Sequence, residues 1–226
     1  MKKIGMIVAV EIDAVLEKIG SKLVENKEKS GYKILEYQTD SYNLIIVNCG
    51  AGEIAAASAT QFLISEYGVD LIVNFGVVGG LTEAMSKTKV CVVDKVVHYD
   101  FDISKVDNVE VVRYLEYSDI YIPTTKELVN KALEVSSDLV VVTCASGDKF
   151  IANPNKKIEL NKLFNADICE MEAAGIVLTC NRNNIPCLLI KIVSDGIHGG
   201  AQEFIETKNI AASICLEIVD KIINEM

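Results

Sequence analysis

The residues best equipped for chemistry in this 226-residue chain are acids set among apolar runs and glycines. Glu170-Met171-Glu172 places two carboxylates between Ile168 and the apolar Ile176 and Leu178. Carboxylates rarely bury unless something satisfies them. A helix N-terminus would do so, and so would a diol, whose hydroxyls suit a fixed two-oxygen acceptor. Lys191-Ile-Val-Ser194-Asp195-Gly196 ends an apolar run with an acid. Burial beside other acids lets such an aspartate keep its proton, which equips it as a general acid, although Ser-Asp-Gly is also a common turn. Glu11 and Asp13 follow the first apolar run.

Two glycine-rich stretches, Asn48-Cys-Gly50-Ala-Gly52-Glu-Ile-Ala55 and Asn74-Phe-Gly76-Val-Val-Gly79-Gly80-Leu81, permit positive φ and close backbone approach. The first matches the relaxed dinucleotide fingerprint G-x-G-x-x-A. The acid that should hold a ribose, Asp70, precedes the next strand instead of ending it, so a tight strand-to-helix turn near some ligand fits better. Phe150, in Ser146-Gly-Asp-Lys-Phe150-Ile151, is either core or a stacking ring. His98-Tyr99-Asp100-Phe101-Asp102 is equally open between a solvated turn and a site.

These residues need elements to hold them. Strands are predicted at 4–10, 33–37, 44–49, 71–75, 90–97, 139–144, 168–171 and 188–193, several as continuous apolar runs that imply burial on both faces. Helical periodicity covers 14–27, 55–63, 125–134, 156–165, 173–183 and the C-terminal stretch from 211 to 222. Alternating strands and helices imply a mostly parallel sheet between helical layers. Neither a repeat nor a composition break divides the chain, so one domain over 1–226 is expected. Ligands of such sheets sit beyond the carboxyl ends of the strands, and acids and glycines crowd those ends here.

Composition narrows the partners. There are 22 basic and 32 acidic residues, a net charge of −10, which repels polyanions and argues against nucleic acid and acidic membrane surfaces. Uncharged runs reach only twelve residues, against about twenty for a spanning helix. The start, Met1-Lys2-Lys3 and an apolar run, meets Glu11 and Asp13 with no small-x-small cleavage pattern, so a buried strand fits better than a secretory signal. Seven cysteines without a C-x-x-C pair read as reduced core residues of a cytoplasmic protein. Two histidines offer little for a metal site.

The motifs occur in a telling order: an acid after the first strand, N-C-G-A-G-E, N-F-G-V-V-G-G-L, H-Y-D-F-D, S-G-D-K-F-I, C-E-M-E-A-A and K-I-V-S-D-G. This resembles the nucleoside phosphorylase/nucleosidase family, most closely its methylthioadenosine/S-adenosylhomocysteine nucleosidase branch, over nearly the whole chain. The resemblance implies a three-layer αβα sandwich around a central mixed, largely parallel sheet, and cleavage of a purine N-glycosidic bond. It gives Asp195 the protonation of purine N7 and Ser194 its orientation. Glu172, with Met171 beside it and Glu170 nearby, would hold the ribose. Phe150 would stack on the base, Ile151 would read its edge through its backbone, and Gly76 and Val77 would line the sugar site. Leaving-group protonation and an oxocarbenium-like sugar are what such a cleavage requires, and anionic side chains favour that charge.

The family's water-activating glutamate falls three places after a strand-ending Ala-Met pair. Counting from Ala9-Val10, this chain has Asp13 there, its reach shorter by about one C–C bond, roughly 1.5 Å. Glu11 is the alternative if the strand continues, since alternation repeats every second residue; Asp13 is preferred. Val77 stands where a small hydroxyl residue is usual. The two arginines, Arg113 and Arg182, are too few and badly placed for a phosphate site, so water is the expected nucleophile. Phosphorolysis, hydrolysis of another purine nucleoside of the futalosine type, and nucleoside binding without catalysis are the alternatives. The resemblance implies no metal or organic cofactor, a small-molecule purine nucleoside as partner, and a homodimer.

Overall fold

The central strands are apolar on both sides because each side meets its own layer of helices. In β1 (Lys2–Val8), Ile4, Met6 and Val8 join one buried cluster and Ile7 another. β4 (Tyr42–Asn48) divides Leu44 and Ile46 from Ile45 and Val47. β10 (Cys187–Asp195) divides Leu188, Ile190 and Ile192 from Cys187, Leu189 and Val193. Side chains alternate across a strand, so a run buried on both faces has no polar positions to show.

The first cluster is closed by α1 (Ile12–Ile19), α4 (Lys126–Val135) and α7 (Gly200–Asn224), through Val15, Val129, Ala211, Cys215 and Val219. The second is closed by α2 (Glu53–Phe62) and α6 (Ala173–Asn183), through Ala56, Ala59, Ala173, Ile176 and Val177. Helices, sheet and helices thus form the three layers of an α/β sandwich. The computed structural model describes residues 1–225; Met226, the end of the expected domain, lies outside them. Among the described residues no helix is long and apolar enough to cross a membrane.

The remaining strands are β2 (Glu25–Lys29), β3 (Tyr32–Gln38), β5 (Leu71–Gly80), β6 (Val90–His98), β7 (Ile122–Pro123), β8 (Val140–Ser146) and β9 (Ile168–Glu170). They run in the order β10-β6-β8-β9-β5-β1-β4-β3-β2, with β7 on β6 and an added pairing of β5 with β10 that closes one end into a ring. Parallel pairings join β1 to β4 and β5, β5 to β10, and β8 to β6 and β9; the others are antiparallel. β5 makes the ring possible. It pairs with β1 over Leu71–Asn74, follows β10 to Gly79, and meets β9 at Gly79 and Gly80.

Three expectations are corrected here. The helix predicted over 14–27 stops at Ile19, and residues 25–29 instead form β2, which pairs in a hairpin with β3, the strand expected at 33–37. The hairpin's two-residue turn, Ser30-Gly31, has positive φ at both positions (54° and 81°), as a type I′ connection demands. The strand predicted to end at Phe75 continues through the glycines to Gly80. Those glycines serve close approach rather than positive φ: a Cβ on Gly80 would lie 2.0 Å from the Met85 carbonyl oxygen. The poorly patterned middle of the chain holds only the one-turn α3 (Ser104–Asp107) before β7.

Candidate active site

The carboxyl ends of β1, β5, β9 and β10 converge on a cavity of about 220 Å³ whose lining includes Glu11, Phe150, Met171, Glu172, Ser194 and Asp195. Each acid is fixed by the element that delivers it. Glu11 is the residue before α1 and is 7% exposed. Its Oε1 accepts from the Val77 amide and its Oε2 from the Val10 amide, both at 3.0 Å. A Cβ on Gly76 would lie 2.9 Å from Glu11 Oε1, so the glycine makes room for this carboxylate. Gly76 was expected to line the sugar site; Val77, Val78 and Gly79 line the cavity, and Gly76 lies beneath Glu11.

Asp13, the preferred water-positioning acid, is exposed in the first turn of α1 and does not line the cavity; it borders an adjoining depression with Glu11, Glu17 and Lys208. The helix starts at Ile12, and its 3.6-residue turn carries position 13 away from the cavity. Glu11 lines the cavity instead. It does so as the residue preceding a helix, not by strand alternation, because β1 ends at Val8.

Glu172 precedes α6, and its Oε1 accepts from the Gly52 amide at 3.0 Å. Gly50 and Gly52 have φ of 79° and 108°, so the glycine turn after β4 turns its amide to this carboxylate and not to a dinucleotide phosphate. Burial, and then the charge of Glu170, pushes the Glu172 acid up to about 7. Glu170 itself borders the cavity, but its oxygens are fully engaged. Lys191 Nζ donates at 3.1 Å, the Glu172 and Ala173 amides at 3.0 and 2.9 Å, and the Ser146 hydroxyl lies at 2.5 Å. Burial works to raise the Glu170 acid, yet Lys191 and these hydrogen bonds hold it below its ordinary value. Its place is that of an anchor under the Glu172 turn, not of a free ligand for substrate.

Asp195, 1% exposed, closes β10. Its Oδ1 accepts from the Ser194 hydroxyl at 2.9 Å, and its Oδ2 meets Lys157 Nζ at 2.5 Å. Burial raises its pKa, against the pull of the Lys157 ammonium. Phe150, 46% exposed, stands at the rim edge-on to Phe204, with ring centroids 5.2 Å apart, and Ile151 and Met171 complete the wall.

Sequence reasoning missed Lys157, Lys191, Phe204 and Glu53. Lys157 lies three residues before buried Leu160 on α5 (Pro154–Phe164), so helical spacing put it on the inward face. Lys191 interrupts a run of buried apolar residues in β10, where a charge demands a partner. Three cations at or beside the cavity are paired: Lys157 with Asp195, Lys191 with Glu170, and Lys149 with Asp100; Lys208 lies over the Phe204 ring, 5.8 Å from its centroid. Arg182 pairs with Glu116, and Arg113 Nε donates to the Tyr117 carbonyl; neither lines the cavity.

The chain that builds this cavity from strand ends and helix starts is matched over residues 3–224 by a family profile, that of the phosphorylase superfamily. The chain belongs to this superfamily. Within it, the chain is similar to an aminodeoxyfutalosine nucleosidase of Campylobacter jejuni, 27% identical with 98% of this chain and 100% of the relative covered. It is also similar to a 5′-methylthioadenosine/S-adenosylhomocysteine nucleosidase of Staphylococcus aureus, 28% identical with 95% and 97% covered. Among solved structures, the native futalosine hydrolase of Helicobacter pylori superimposes with a TM-score of 0.92 at 25% identity, covering 100% of this chain and 98% of that one. The phosphorylase-superfamily fold therefore spans the chain from β1 to α7.

Proposed function

We propose that the protein is a purine nucleosidase that hydrolyses the N-glycosidic bond of a 5′-modified adenine nucleoside, methylthioadenosine and/or S-adenosylhomocysteine. The observation that carries this reading is the convergence of Glu11, Glu172 and Asp195 on one cavity. Asp195, protonated, gives its proton to purine N7 as the C–N bond breaks, and the bond's electrons leave with a neutral base. Glu172 accepts hydrogen bonds from the ribose hydroxyls, and with Glu11 it surrounds the positive charge that develops on the sugar. Glu11 takes a proton from the water that attacks the anomeric carbon. Phe150 and Ile151 flank the base, and Met171 the sugar. A phosphate nucleophile would meet the carboxyl groups of Glu11, Glu172 and Asp195, which line the cavity.

A second substrate is supported by the Campylobacter relative, which is named for aminodeoxyfutalosine and matches end to end. Both candidates are adenine nucleosides that differ at the 5′ position. A homodimer in a thiol-reducing cytoplasm belongs to the same proposal, in keeping with seven free cysteines. The test is incubation with methylthioadenosine and with aminodeoxyfutalosine, each with and without phosphate. Adenine and free sugar in both tubes support hydrolysis, and the faster substrate identifies the 5′ group. Strict phosphate dependence would make it a phosphorylase, and binding without turnover of either nucleoside would leave a nucleoside-binding protein.

A further inference from the structure

Glu53 is a buried carboxylate that the chemistry above leaves unused. It opens α2, is 6% exposed and does not line the cavity. Its Oε2 accepts from the Gly175 amide, and its Oε1 meets the Ser146 hydroxyl. That hydroxyl also meets Glu170 Oε1 at 2.5 Å and receives the Ala174 amide at 3.0 Å. A hydroxyl has one proton to give and two lone pairs. Ala174 takes one lone pair, and the single proton reaches only one carboxylate. The other carboxyl must bring a proton of its own to the remaining lone pair. Glu170 is the acceptor, since the Lys191 ammonium and the amides of Glu172 and Ala173 all donate to it.

We propose that Glu53 stands as a neutral carboxylic acid that donates to Ser146, and that it is a positioning residue for Glu172. The Ser146 proton goes to Glu170, and Glu170 holds the backbone amide of Glu172. A reciprocal clasp reinforces this. Gly52, next to Glu53, donates to Glu172 Oε1, while Gly175, three residues past Glu172, donates to Glu53 Oε2. The functional part rests on the reading of Glu172 as the carboxylate that holds the sugar.

Burial, and then the charge of Glu170, lifts the Glu53 acid to about 8. The titratable groups facing it are Glu170 on β9, Glu172 before α6, Lys191 on β10 through its pair with Glu170, and Tyr99 and Tyr114 from the segment after β6. Asp148 accepts from the Glu53 amide at 2.7 Å. Loss of the Glu53 proton adds a negative charge beside Glu170 and Glu172 and removes the donor to Ser146, which loosens the clasp.

The experiment is an infrared pH titration of the substrate-free protein and of E53Q, whose amide can donate to Ser146 and accept from Gly175 without titrating. The wild type is expected to show a protonated-carboxyl C=O component that disappears near pH 8, and E53Q to lack it. Glu172 loses its own proton about one unit lower, so the signal is read as the wild-type-minus-E53Q difference, and a difference without C=O loss near pH 8 overturns the assignment. In kinetics, KM for methylthioadenosine is expected to rise roughly fivefold between pH 8 and 9 in the wild type, as the share of protein with Glu53 protonated falls from about a half to about a tenth, and to stay level in E53Q, with kcat affected alike in both. An equal KM rise in E53Q overturns the positioning role. Should E53Q not fold, S146A serves. Neutral Glu53 donates to Ser146, so loss of that acceptor is expected to move the component's midpoint to lower pH, and an unmoved or raised midpoint counts against the relay. The spectra need no substrate, so the protonation assignment fails or survives separately from the nucleosidase reading.

Discussion

Two residues that share a turn, Glu11 and Asp13, have opposite surroundings. Glu11 is buried against two amides at the cavity, and Asp13 is exposed to solvent. E11Q is therefore expected to lower kcat about 10²- to 10⁴-fold, the usual worth of a general base, while D13N leaves it near wild type; steady-state kinetics on methylthioadenosine separates them. Asp195 gives a second comparison. In the proposed reaction it acts protonated, so kcat/KM is expected to fall as pH rises through its pKa. The groups facing it are Lys157, Ser194, Glu203 and Cys169, and of these only Lys157 brings a positive charge. Removing that ammonium raises the pKa of Asp195 further. The alkaline limb of kcat/KM is expected to move to higher pH in K157M and to stay in place in K157R. Purely structural damage would lower the whole profile without moving its limb.

At the scale of elements, the clasp between the starts of α2 and α6 depends on a missing side chain. A Cβ on Gly175 would lie 2.4 Å from the Glu53 carbonyl oxygen, so G175A must push the helices apart. It is expected to cost about 1–3 kcal/mol, read as a lower urea midpoint at unchanged slope. The sequence disclosed such features unevenly. α6 was predicted at its observed bounds, because apolar spacing and the acids before it agreed. β3 was legible as the strand over 33–37, but its partner β2 was hidden, because Leu23 and Val24 continue a helical apolar spacing and the signal against it was only Ser30-Gly31. Glu172, Asp195 and Phe150 could be picked out as motif residues. Lys157, Lys191 and Glu53 could not be assigned partners, because pairing across β9, β10, α2 and α5 is a property of the assembled sheet and not of any local stretch.

For the whole molecule, the buried acids set how stability changes with pH. Glu53 and Glu172 have native pKa values of about 8 and about 7, above the ordinary 4.5. Between 4.5 and those values the native state binds protons that the unfolded state does not, so stability falls as pH rises through this window. Glu170 is shifted down, and its contribution is present above 4.5 and lost as pH falls below it. Thermal unfolding is thus expected to show the highest Tm near pH 5, with a decline toward pH 8. A Tm that climbs steadily from pH 5 to 8 contradicts the burial of these acids as neutral groups.

Isotope tracing addresses the reaction most directly. Methylthioadenosine turned over in ¹⁸O-water, with phosphate present, is expected to yield adenine and a free sugar carrying the label on its anomeric oxygen. A sugar phosphate, with the phosphate oxygen at that carbon and no label from water, would contradict a cavity whose acids bring water to the breaking bond.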